Sequence, residues 1–130
     1  KSVPGLEING LGKYGRGIKE KIIFVTRCRN LRIPLKRFVL NVEMPDCEDI
    51  SPDEMRNIEY ALLLQYWHLA GLLPIANTER VLAVGSFSPS GVITLGPEEL
   101  RNSLCTEYDL VQIDGNDLTS SIGSLEFRQE

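Results

Sequence analysis

An α+β domain, with a mostly antiparallel β-sheet packed by one long α-helix, is the fold this sequence predicts. Three observations predict it. A capped helix with apolar periodicity stands at about residues 52–70, short β-branched runs flank it on both sides, and strands and helices show no regular alternation. With 130 residues, 42% hydrophobic and 25% charged, the chain is expected to form one globular domain over residues 18–130, preceded by a flexible arm over residues 1–17.

The arm is expected because Pro4, Gly5, Gly10, Gly12, Gly15 and Gly17 crowd the first seventeen positions. Residues 22–26, rich in β-branched side chains, predict a strand. After Pro34, residues 38–44 alternate, with Phe38, Leu40, Val42 and Met44 on one face of a second strand. Ser51-Pro52-Asp53-Glu54 supplies a capping hydroxyl, a proline at the first helical position and an acid three residues after the cap. Met55, Ile58, Leu62, Tyr66 and Leu69 then recur at helical spacing, and Gly71 and Pro74 stop the helix. Residues 80–84 and 92–95 predict a hairpin around the Ser- and Gly-rich loop 86–91. A short helix is expected from about Pro97, a strand over 110–113, a turn at 114–117, and an edge strand within 118–127.

Several function classes are unsupported. The longest apolar runs are a few residues, too short to span a bilayer. Cys28, Cys47 and Cys105 are odd in number and scattered, which suits reduced thiols rather than a disulfide framework. No Asn-x-Ser/Thr acceptor occurs, and the chain opens on Lys, so a native N-terminal extension is expected. His68, the only histidine, has no carboxylate three or four positions away to orient it for acid–base work, so a structural role near a helix end is expected. The cysteines lack paired zinc spacing, and the acids at 46, 48, 49, 53 and 54 lack the central Gly of a calcium loop. The segment from Gly10 to Gly15 satisfies the dinucleotide fingerprint literally, but residues 18–28 read as strand rather than as the helix it needs. No catalytic residue, metal or cofactor is expected.

Charge is the informative feature. Residues 1–37 hold ten Lys and Arg against Glu7 and Glu20, a net of +8; residues 38–130 hold four basic and sixteen acidic side chains, a net of -12. Lys13, Arg16, Lys19, Lys21, Arg27, Arg29, Arg32, Lys36 and Arg37 form a run almost free of acids, which predicts a surface for nucleic-acid phosphates or anionic lipid headgroups. The acidic remainder of another copy is an equally suitable partner.

Residues 37–44, a basic residue, an apolar strand and a closing Met, precede a loop and a helix ending in Tyr66-Trp67-His68. A turn at Gly71-Leu72-Leu73-Pro74 and a strand leaving through Gly85-Ser86 follow. Over residues 37–95 this layout resembles the core of rhabdovirus matrix proteins. The resemblance implies a non-enzymatic virion protein that self-associates, binds the viral nucleocapsid, attaches it to the inner face of an anionic host membrane and works in the host cytoplasm during budding. By the same resemblance Val3, Pro4, Leu6 and Ile8 are candidates for an N-terminal self-association peptide. The family's Pro-Pro-x-Tyr and Pro-Thr/Ser-Ala-Pro motifs are absent. The alternative is a small nucleic-acid-binding or protein-interaction module with no membrane role.

Overall fold

The first element is a strand where the sequence predicts an arm. The computed structural model describes residues 5–29, 31–32, 34–42, 51–73, 81–113 and 126–129. Strand β1 (Gly5–Asn9) leads through a short 3-10 turn (Gly12–Tyr14) into helix α1 (Gly15–Cys28), and strand β2 (Arg37–Asn41) returns parallel to β1. The register runs from Gly5↔Arg37 to Asn9↔Asn41, and Val42 N–H extends it by donating to the Asn9 carbonyl at 2.8 Å. A parallel pair needs such a crossover. Glycine makes the turn possible: Gly10 has φ +99°, and a Cβ there would overlap the Val42 carbonyl. From Gly5 onward, ordered elements therefore replace the expected arm.

Helix α1 also corrects the strand expected over 22–26. Ile18, Ile22 and Val25 are buried at helical spacing, while Phe24 is 52% exposed. The β-branched run suggested a strand because it is short; the helical period shows only over the whole of 15–28. Thr26, at 2% exposure, donates its hydroxyl to the Ile22 carbonyl at 2.7 Å. Burial of the apolar stripe outweighs the modest helix penalty of Ile, Val and Thr.

The helix expected over 52–70 is two helices, α2 (Pro52–Arg56) and α3 (Glu59–Leu69). Ser51 caps α2 as its sequence requires, accepting from Glu54 N–H at 3.2 Å. The break comes at Asn57 and Ile58, whose N–H groups bond the carbonyls of Glu54 and Met55 three residues back. Asn57 also lends its carbonyl to Gly85 N–H at 2.9 Å. Helix α3 is buried nearly all round: Tyr60, Leu62, Leu63, Leu64, Tyr66 and Trp67 are all in the core. It packs on β2 and on β4, and the Phe38 and Tyr66 rings meet edge to face at 5.4 Å. Leu69, expected on the core stripe, is 48% exposed.

The second half mixes helix and strand. Strands β3 (Val81–Leu82), β4 (Gly85–Phe87) and β5 (Val92–Leu95) precede α4 (Glu98–Tyr108), β6 (Val111–Gln112) and β7 (Glu126–Gln129). The hairpin is β4 with β5, and β3 pairs with β6 instead. Among the described residues β1–β2, β3–β6 and β5–β7 are parallel and only β4–β5 is antiparallel, in sheets of two or three strands. The α+β class is therefore present, but the pairing is not mostly antiparallel and no single helix dominates. The turn expected at 114–117 lies outside the described residues.

Candidate polyanion interface

Helix α1 sorts the expected cations by periodicity. Arg16, Lys19, Ile23 and Arg27 follow one another at three- and four-residue spacing, so they share a face. That face borders β1. Two adjoining depressions of about 480 and 420 Å³ share Glu7 and Lys19; Arg16 lies at one end of the resulting groove, Arg27 and Arg37 at the other. From Arg16 to Arg27 the helix rises about 16 Å, at 1.5 Å per residue. Arg37 reaches the groove from β2.

Two of these cations already have acidic partners. Arg16 Nε donates to Glu20 at 3.2 Å, with both side chains largely exposed, and Arg37 donates to Glu7 at 2.7 Å across the strand pair. Exposed pairs of this kind contribute little stability and exchange readily for another anion. With four cations against two acids, the groove keeps a net positive charge. Arg27 stands in the last turn of α1, where a cation suits the helix dipole. It also opposes the upward push that burial gives the Tyr66 phenol.

Of the remaining expected residues, Lys13 and Lys21 line a second depression of about 340 Å³ with Arg56 and Glu59, and the others lie apart from it. Lys21 turns inward: its ammonium bonds Glu59 Oε1 at 2.5 Å and sits 4.8 Å from the centre of the Phe87 ring. Glu59, 7% exposed, is an acid the sequence reading overlooked; its isolation within the apolar run 58–64 was the available signal. Arg29 packs at the β4–β5 turn, its Nη2 lying 3.2 Å from where a Cβ on Gly91 would sit. Its Nε is buried and without a hydrogen-bond partner. Neither of these two lines the α1–β1 groove. Lys13 lies over the Tyr14 ring at 5.3 Å, on the 3-10 turn. Arg32 and Lys36 are exposed on the α1–β2 connection.

The self-association candidates fare differently. Leu6, at 3% exposure, belongs to the chain's own core and is not available to a neighbour, whereas Ile8 is half-buried against that core and lines the groove. Val3 and Pro4 lie outside the described residues.

The glycine fingerprint has the strand, turn, helix and parallel strand that the sequence reading denied it. Gly15 brings helix to strand, its absent Cβ lying 3.3 Å from the Ile8 carbonyl. Two of its amides are already used within the segment, however: Tyr14 N–H donates to the Leu11 carbonyl and Gly15 N–H to that of Gly12. A phosphate cradle needs such donors turned outward.

His68 Nδ1 stands 3.1 Å from the Leu73 carbonyl just beyond α3. Among the described residues no group of three His, Cys, Asp or Glu side chains is placed to hold a metal ion, and no helix is long and apolar enough to cross a membrane. No known protein family, curated protein or solved structure matches the chain.

Proposed function

We propose that this chain is a non-enzymatic, matrix-like assembly protein that docks polyanions along the α1–β1 groove. The observation that carries the reading is that Arg16, Lys19, Arg27 and Arg37 line two adjoining depressions joined at Glu7 and Lys19. The order of elements over residues 37–95 supports the matrix-like part: strand, helical segment, turn and strand pair follow one another as in that layout. Its partners would then be a viral nucleocapsid, an anionic membrane surface and further copies of itself, and its place the virion, the host cytoplasm and the inner face of host membranes.

A second reading, a nucleic-acid-binding module with no membrane role, is favoured by the shape of the same surface. A lipid surface presses best on a convex cationic face, whereas a groove with Ile23 and Ile8 on its walls suits a single polyanionic strand.

The test is the triple reversal Arg16→Glu, Lys19→Glu and Arg27→Glu, none of which makes a described core contact. Binding to single-stranded RNA and to phosphatidylserine vesicles is measured across a salt series. The variant is expected to lose binding to both, and for RNA the slope of log K against log salt should fall by about 2, at about 0.7 per cation. RNA binding without any vesicle binding by the unaltered chain establishes the second reading. If the triple variant binds both as the parent does, the groove is not the site.

A further inference from the structure

The α1–β2 connection carries a leucine that no core uses. Leu35 is 89% exposed, the most exposed large hydrophobic among the described residues. It is nevertheless held in place. Lys36 N–H donates to the Pro34 carbonyl at 2.7 Å, a three-residue turn with Leu35 at its tip, and Gly5 N–H donates to the Lys36 carbonyl at 3.1 Å. Pro34 fixes one backbone angle more. Around the tip stand Arg32, Lys36 and Arg37, and no acid occurs between Glu20 and Glu43. This is an apolar knob set in positive charge, its backbone held by two hydrogen bonds.

Its complement is α4. Leu100, Leu104 and Tyr108 recur every four residues along one face; Leu100 is 42% and Tyr108 62% exposed, and Val111 just beyond is 63% exposed. Glu98, Glu99 and Glu107 are exposed on the same helix. The one cation of α4, Arg101, is buried, donating to the Gly96 carbonyl at 2.9 Å and to Gln112 Oε1 at 2.5 Å. The exposed charge of α4 is therefore wholly acidic, around an apolar stripe.

We infer that the knob at Leu35 docks on the α4 stripe of a second copy of this chain. Opposite charge brings the two faces together, and burial of Leu35 against Leu100, Tyr108 and Val111 holds them. Knob and stripe are different surfaces, so each contact pairs unlike patches, and the rotation it imposes decides between a closed assembly and open chains. The patch is small, so association is weak and concentration-dependent. The inference deepens the assembly reading by naming its self-association surface, and it shares no altered residue with the groove test.

Sedimentation at increasing protein concentration provides the test, with Leu35→Asp, with Arg32→Glu/Lys36→Glu, and with Glu99→Lys/Glu107→Lys. All these positions are exposed, and circular dichroism verifies folding of each variant. The parent should grow in mass at low salt and return towards monomer at about 1 M salt, where the screening length is about 3 Å. Each variant alone should stay monomeric, and mixing the two charge-reversed variants should restore association. A strictly monomeric parent, association that survives Leu35→Asp, or a mixture that fails to associate overturns the inference. RNA binding by the parent, measured in parallel, stands or falls separately.

Discussion

The indole N–H of Trp67 donates to the Thr26 hydroxyl at 3.0 Å, joining α3 to α1 across 41 residues of sequence. Trp67 is fully buried and Thr26 nearly so. A buried ring N–H without an acceptor carries a desolvation cost, and this one acceptor meets it. The same hydroxyl donates a hydrogen bond to the Ile22 carbonyl within α1, so helix and helix contact share one oxygen.

Thr26→Val keeps the shape and removes that oxygen, leaving the Trp67 N–H unpaired. The expected loss is about 1–3 kcal/mol, read as a lower urea midpoint at unchanged slope. Thr26→Ser retains the oxygen and should lose less. Equal losses in the two variants would show that the hydrogen bond is not what matters.

Lys21 and Glu59 form the most enclosed ion pair described, with side chains 24% and 9% exposed. Lys21→Met leaves the Glu59 carboxylate without its cation, with the Phe87 backbone N–H donating to it at 3.5 Å. Breaking a fully buried pair costs about 3–5 kcal/mol; the partial exposure of Lys21 lowers the expectation to about 2 kcal/mol. Lys21→Met with Glu59→Met should recover much of this loss, and a double-mutant cycle measures the coupling.

Burial raises the Tyr66 phenol above its ordinary value of about 10, with the Arg27 charge pulling the other way. The folded state therefore holds this proton more tightly than the unfolded chain. Its contribution to stability is fully present below about pH 10 and is lost as pH rises through the higher folded value. Denaturant titrations on either side of pH 10 should show the decline, and Tyr66→Phe should flatten it.

Two glycines of one segment should answer oppositely to alanine. Gly10→Ala meets the Val42 carbonyl at a positive φ and should destabilise by more than about 1 kcal/mol. Gly17 lies in the first turns of α1 with open space where its Cβ would be, so Gly17→Ala should stabilise by about 0.5–1 kcal/mol. Thermal midpoints of the two variants decide it.

Features with a local cause were legible in the sequence. Ser51, Pro52 and Glu54 announce a helix start because a cap uses side chains within three residues of one another. The basic run was equally plain. What escaped was set by distant contacts. Ile22 and Val25 become helical because the common core covers their stripe, and Gly10 is a turn rather than part of an arm because β2 returns beside β1. Of the expected cations, Arg16, Lys19, Arg27 and Arg37 meet in the groove. Lys21 and Arg29 lie away from it because their directions depend on Glu59 and on the turn at Gly91, remote in sequence.

The enclosure of α3 has a kinetic side. A helix buried on nearly every face has no solvent side from which to fray, so its backbone amides open only when the surrounding domain opens. Their exchange with deuterium therefore reports the free energy of global unfolding. The exposed turn at Pro34–Lys36, bonded chiefly to itself and to Gly5, can release its protons without disturbing that core. Slow and fast exchange are thus expected on neighbouring pieces of structure: α3 packed on β2, and the connection that delivers the chain into β2.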